Sequence, residues 1–191
     1  MDFKKTGIKG VWITHSPVFQ DERGSFRECT KLTESKRITG ETFSVAQTNS
    51  STSKLGVVRG LHYSTKQDGQ WKWITCVSGS IFDVVVDIRV NSPTFLESIE
   101  LELSESNQLG VLIQGDLAHG FQALNPNSIV TYNLSSEYNP ELEYEINPLD
   151  IDFAINWPIE KKIISRKDQL APTLRNLQSS GKLPEYSQQI R

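Results

Sequence analysis

The chain is poor in the residues that build reactive sites on their own. It holds two cysteines, Cys29 and Cys76, with no Cys-x-x-Cys pair, and three histidines, His15, His62 and His119. Two isolated thiols argue against a disulfide scaffold and suit a reduced, intracellular protein. Without a His-x-His pair, a multi-histidine metal site is not expected either. No run reaches the roughly 18 apolar residues of a membrane helix. Met1-Asp2-Phe3-Lys4-Lys5 lacks the apolar core of a signal peptide. The expected location is therefore the cytoplasm. A basic excess is missing too: 20 Lys and Arg against 23 Asp and Glu leave a net charge of −3. That balance points away from nucleic acid and anionic membranes, so any bound anion must be held by local cations. P-loop, GxGxxG and GxSxG patterns are all missing, and nothing suggests a nucleotide cofactor.

What is present fits one globular domain spanning residues 1–191, with 37% hydrophobic residues to build a core. No linker, repeat or charge block divides it. Short strands dominate. After Gly79 the even positions Phe82, Val84, Val86, Ile88 and Val90 are apolar, while Asp83, Asp87 and Arg89 stand at odd ones beside Ile81 and Val85. That period of two predicts a strand with one face in the core. Further strands are expected at 72–77, 98–103, 110–113 and 129–134, with helices at 32–38 and 169–178. Asp21-Glu22-Arg23-Gly24-Ser25 reads as a polar turn, and Pro126, Pro140, Pro148 and Pro158 as loops. Many short strands with little helix make an all-β sandwich or barrel, of which the double-sheet jelly roll is one solution.

The candidates for chemistry cluster around Val58-Arg59-Gly60-Leu61-His62-Tyr63, with Lys72 ten residues after the histidine. A base, an anion clamp and a second cation suggest proton chemistry on an anionic substrate. On a regular strand Gly60 shares the face of His62 and leaves room for a ligand. The competing reading is a core histidine satisfied by a backbone carbonyl. His119 is either functional or a turn histidine, and His15 reads as a surface residue. Lys72, between Trp71 and Trp73, is either a strand-edge charge over aromatic rings or an ammonium in a partly dry cleft that stabilises a developing oxyanion. Arg23, Arg59 and Lys167 read singly as surface charges. Tyr132 and Tyr138, of equal parity, read as core-edge aromatics.

Taken together the blocks resemble a known family. They are Phe19-Gln20-Asp21-Glu22-Arg23-Gly24-Ser25-Phe26-Arg27-Glu28, Gln47-Thr48-Asn49, Gly56 to Tyr63, Gly79 to Arg89 and Ser92-Pro93-Thr94-Phe95. Ala118-His119-Gly120-Phe121, Tyr138-Asn139-Pro140 and Ile164-Ser165-Arg166-Lys167-Asp168 follow in order. From about residue 8 to 175 the chain is similar to the dTDP-4-dehydrorhamnose 3,5-epimerases and their deoxysugar relatives. The resemblance implies a cupin-type jelly roll with a few short helices, working as a homodimer on a dTDP-4-keto-6-deoxyhexose without metal or cofactor. It makes His62 the base, Asp168 its carboxylate partner, Lys72 the group beside the C4 oxygen, and Tyr132 the acid on the opposite face. It places Arg23, Glu28, Gln47, Asn49, Arg59, His119, Glu143 and Lys167 against the nucleotide-sugar, and Tyr138 on the thymine.

The implied chemistry suits these residue types. An enolate oxygen needs a preorganised positive charge as the proton leaves. Histidine titrates near neutral pH. Guanidinium groups bind a diphosphate bidentately. Pairing Asp168 with His62 requires the segment from about residue 160 to fold back onto the barrel. The sequence departs from the family pattern at Trp71, expected to reshape or cover the sugar pocket, and at Gln114-Gly115-Asp116, where Asp tolerates a turn with positive φ. Ile146-Asn147-Pro148-Leu149-Asp150 resembles relatives that include enzymes acting at C3 or C5 alone. Competing readings are such a mono-epimerase, a non-catalytic nucleotide-sugar-binding cupin, and a metal-dependent cupin.

Overall fold

The computed structural model describes residues 1–65 and 69–186. In chain order the first strands are β1 (Asp2–Lys5), β2 (Val11–His15), β3 (Val18–Asp21), β4 (Gly24–Arg27), β5 (Gln47–Ser53), β6 (Val57–Ser64) and β7 (Lys72–Ser78). Then come β8 (Ser80–Val86), β9 (Ser98–Ser104), β10 (Leu109–Ile113), β11 (Ala118–Ala123), β12 (Ser128–Leu134), β13 (Glu143–Glu145) and β14 (Ile163–Ile164). Helix α1 (Leu32–Thr39) lies between β4 and β5, and α2 (Arg166–Gln169) and α3 (Leu174–Ser179) follow β14. The expected helix at 169–178 is two pieces. Ala171 and Pro172 separate them, because proline cannot continue a helix and biases the residue before it away from helical geometry.

Two sheets make a jelly roll. One runs β1-β2-β10-β7-β12-β5; the other runs β13-β6-β11-β8-β9, with β14 added in parallel to β6. The β3–β4 hairpin forms a separate two-stranded sheet. Ile74, Cys76, Val111 and Val130 of the first sheet pack with Ile81, Val85, Leu103 and Phe121 of the second. These residues fill the space between the sheets. The outer face of the second sheet is also dry. There Val58, Leu61, Tyr63, Val84, Val86 and Ile88 meet Phe153, Trp157, Leu174, Leu177 and Leu183 from the C-terminal part of the chain. Trp12, Phe43, Trp73 and Leu112, with Phe3 and Trp71, cover the outer face of the first.

Four sequence expectations change here. The strand after Gly79 has both faces buried, not one. Its even positions lie under the C-terminal segment, and its odd positions, Ile81, Asp83 and Val85, face the interior. Asp87 and Arg89 lie past its end and are buried as a mutual ion pair. Alternation failed to reveal this because both faces of the strand are covered by other parts of the chain. Trp71 stacks on Trp12 with ring centroids 5.9 Å apart, on the face opposite Lys72, so it neither reshapes nor covers the site. Asp116 needs no positive φ, since the left-handed residues are found elsewhere.

Gly60 is the fourth. Its φ is +114°, and a Cβ there would come within 2.6 Å of the Gly120 Cα and 2.7 Å of the His119 carbonyl oxygen. The glycine thus admits the backbone of β11, not a ligand. The ladder shifts register at this point, pairing His119 with His62 but Phe121 with Arg59. We expect Gly60→Ala to lose about 1–3 kcal/mol of unfolding free energy. Gly7→Ala, where a Cβ meets nothing within 4 Å, should change it little. Equal urea midpoints for the two variants would refute the backbone-contact explanation.

Candidate active site

The register shift decides which side chains meet. Val58, Leu61 and Tyr63 all belong to the outer cluster, so Arg59 and His62 both turn to the other face, toward the interior. On a regular strand a spacing of three would have separated them. The His62 Nε2 lies 2.8 Å from the Asp168 Oδ1. The His62 side chain is 42% exposed, whereas that of Asp168 is 7% exposed. Ser165 caps α2 by accepting from the Asp168 N–H at 3.0 Å, which fixes the aspartate in the first turn. Burial alone would raise the Asp168 carboxyl. The His62 hydrogen bond and charge, with Ser165 and the Gly60 backbone, outweigh it and hold the group below its usual 3.8. An ionised carboxylate only accepts, so Nε2 carries the hydrogen in this contact, and in the neutral form of the imidazole the lone pair is left on Nδ1.

Lys72 enters from the opposite sheet, beside Ile74 and Cys76 in the parity of β7, and is 9% exposed. Its Nζ donates to the His62 carbonyl oxygen at 3.3 Å. Burial pulls the lysine below its ordinary value, against the attraction of Glu143. Glu143 is in turn pushed up by burial, while Lys72 and His62 lower it. Tyr132 stands on β12, next to β7, and its hydroxyl lies 3.1 Å from the Ser51 Oγ. Burial pushes its phenol up to about 12, with Ser51 and Arg59 pulling the other way. Such a phenol holds its proton at neutral pH, yet can surrender it to a strongly basic carbon. Arg59 is oriented by Ser53, to which its Nε donates at 3.0 Å. His119, the ladder partner of His62, bonds the Asp83 Oδ2 through Nε2 at 2.8 Å.

The remaining candidates fall into two groups. Gln47 donates to Asn49 at 2.8 Å and accepts from the Tyr138 N–H at 2.9 Å. Tyr138 lies in a loop beyond the end of β12, so strand parity with Tyr132 does not apply to it. With Ser64, Ser136, Leu142 and Glu143 it lines a cleft of about 440 Å³. Lys167 is paired with Glu145 on β13. Arg23 and Glu28 belong to the other group: Arg23 is held by Asp21 in its own turn, and Glu28 by Lys31. Sequence reasoning missed Ser51 and Ser53, whose only signal is alternate placement with Asn49 on one strand, and Asp83, which read as a solvent-facing charge. Among the described residues no three His, Cys, Asp or Glu side chains are grouped to hold a metal ion.

The sequence model of the dTDP-4-dehydrorhamnose 3,5-epimerases matches residues 5–176. The chain belongs to this family. It is 38% identical to the dTDP-4-dehydrorhamnose 3,5-epimerase of Mycobacterium tuberculosis, covering 100% of this chain and 96% of that protein. It is also 36% identical to the dTDP-4-dehydrorhamnose 3-epimerase of Streptomyces niveus, over 98% and 90% of the two chains. Among solved structures, the dTDP-6-deoxy-D-glucose-3,5-epimerase RmlC of Legionella pneumophila, in complex with dTDP-4-keto-L-rhamnose, superposes with a TM-score of 0.91 at 37% identity. That likeness covers 97% of this chain and 98% of the other.

In this epimerase fold Lys72 is held at a cost to stability. Its depressed folded value means that the penalty is full at low pH and fades as pH rises toward the unfolded value of 10.5. Lys72→Met should therefore raise unfolding free energy by about 1 kcal/mol at neutral pH, with the gain shrinking at high pH. Turnover should fall by about 10²–10³. Urea titrations at two pH values and an activity assay test this; a variant both less stable and fully active would contradict it.

Proposed function

We propose that the protein epimerises C3 and C5 of a dTDP-4-keto-6-deoxyhexose in deoxysugar biosynthesis, an isomerase reaction. The observation that carries the reading is the His62–Asp168 dyad at 2.8 Å beside the buried Lys72, with Tyr132 contributed by the facing sheet. His62 Nδ1 takes the proton from the carbon next to the C4 ketone, and Asp168 stabilises the imidazolium that results. Electron density moves onto the C4 oxygen, where the Lys72 N–H groups receive it. Tyr132 then delivers its proton to the same carbon from the other side. A sugar ring held between the sheets meets base and acid on opposite faces, which inversion requires. Arg59, His119, Gln47, Asn49, Glu143 and Lys167 hold the nucleotide-sugar, with Tyr138 under the thymine and Arg59 on the diphosphate. The chain acts as one catalytic unit, whose C-terminal segment supplies Asp168.

A second reading, inversion at one carbon only, is favoured by the likeness to the Streptomyces niveus 3-epimerase. In D2O the wild-type enzyme should place deuterium at both C3 and C5 of a dTDP-4-keto-6-deoxyglucose substrate, read by NMR. Label at one carbon alone would decide for the mono-epimerase. His62→Ala should abolish exchange at both positions, and unchanged exchange would sink the assignment of the base.

We also propose a homodimer working in the cytoplasm. Among the described residues the β3–β4 hairpin pairs with no other strand, and it exposes Phe19 at 56% and Phe26 at 65%, an apolar surface that suits a protein partner. Arg23 and Glu28, at and beyond that hairpin and paired with Asp21 and Lys31, then lie where a neighbouring copy can reach them. Sedimentation equilibrium should give twice 21.6 kDa for the wild type and about half that mass for a Phe19→Ser/Phe26→Ser variant. A monomeric wild type rules the dimer out.

A further inference from the structure

Asp83 is a fully buried carboxylate that the mechanism above leaves idle. It stands on β8 with Ile81 and Val85 on the same interior face. Its Oδ2 accepts from the His119 Nε2 at 2.8 Å, and the two side chains are 0% and 5% exposed. Its Oδ1 is buried without a hydrogen-bond partner among the described residues. A buried carboxylate oxygen without a partner destabilises the fold. Asp87, four residues on, shows how this chain treats a carboxylate that serves only the fold. Its Oδ1 accepts from the Arg89 N–H and Nε at 3.0 and 2.8 Å, and its Oδ2 from Arg89, Ser92 and Thr94 at 2.8, 2.6 and 2.7 Å. Asp83 shows no such network. What its carboxylate secures is the orientation of a single imidazole.

That imidazole is placed for use. His119 is the ladder partner of His62, on an adjacent strand and facing the same interior. With Nε2 donating to the carboxylate, Nδ1 points away from it and has no hydrogen-bond partner among the described residues. Two His–carboxylate dyads thus stand side by side: His62–Asp168, half open, and His119–Asp83, closed behind it. We propose that Asp83 is a positioning residue for the epimerisation, locking His119 with Nε2 on the carboxylate so that Nδ1 is presented to the nucleotide-sugar beside the base. The role rests on the nucleotide-sugar reading given above.

The test compares Asp83→Asn, His119→Asn and the double variant with the intact enzyme on dTDP-4-keto-6-deoxyglucose. Asp83→Asn keeps the shape and removes the charge. It should lower kcat/KM by about ten- to a hundredfold, the usual effect of losing a partner that orients a reactive histidine. Its melting temperature should be unchanged or higher, because an incompletely paired buried charge has gone. In the His119→Asn background the same change should add no further loss. Losses that multiply, or unchanged kinetics, would overturn the proposal. The 15N spectrum of the histidine rings gives a readout that does not depend on turnover. In the unliganded wild type His119 should carry its hydrogen on Nε2, and Asp83→Asn should move it toward Nδ1. An Nε2 without hydrogen in the wild type refutes the lock even if the variants fail to fold. A wild type inert toward 4-keto nucleotide-sugars would instead sink the substrate reading, while the spectra still judge the dyad.

Discussion

The contact of Gly60 with the backbone of Gly120 and His119 is the constraint on which the site depends. Because no Cβ stands there, β11 comes close to β6 and the ladder slips between His119 and Phe121. The slip turns Arg59 and His62 to the same interior face, three residues apart, where regular pleating would have sent one outward. The same glycine helps to hold Asp168 ionised through its backbone. Arg59, His62 and Asp168, proposed as anion clamp, base and the base's partner, are therefore tied to one point of the main chain.

Around that point the molecule divides labour between its faces. The space between the sheets is apolar around Ile74 and Val130, and Lys72, His62, His119 and Tyr132 add polar groups to it. The outer face of the second sheet is sealed by the C-terminal segment. That seal also delivers the carboxylate. β14 adds to β6, Ser165 caps α2, and Asp168 arrives in the first turn of that helix, against a histidine 106 residues earlier in the chain. Burial then shifts each group, pulling Lys72 down and pushing Tyr132 up.

Much of the fold was legible in residue patterns. Strands expected at 72–77, 98–103, 110–113 and 129–134 appear as β7, β9, β10 and β12, and the helix at 32–38 as α1. The turn around Glu22 and Arg23 joins β3 to β4. Misreadings arose where one residue's setting depends on a distant segment. Asp83 and Asp87 looked solvent-facing because nothing local shows that both faces of β8 are covered. Gly60 looked like room for a ligand because its occupant is the backbone of a strand some sixty residues later. Trp71 looked like an intruder because its stacking partner, Trp12, is near the start of the chain.

The sequence by itself determined the inventory: a base, a phenol, a lysine and several arginines in ordered blocks similar to a family of epimerases, on a chain rich in short strands. It did so because side-chain chemistry and strand periodicity are local properties. Only the tertiary structure decided which of these groups share one chamber, which sheet each comes from, and which carboxylate serves which histidine. Those outcomes follow from register, from close backbone approach and from desolvation, and none of the three is a property of neighbouring residues.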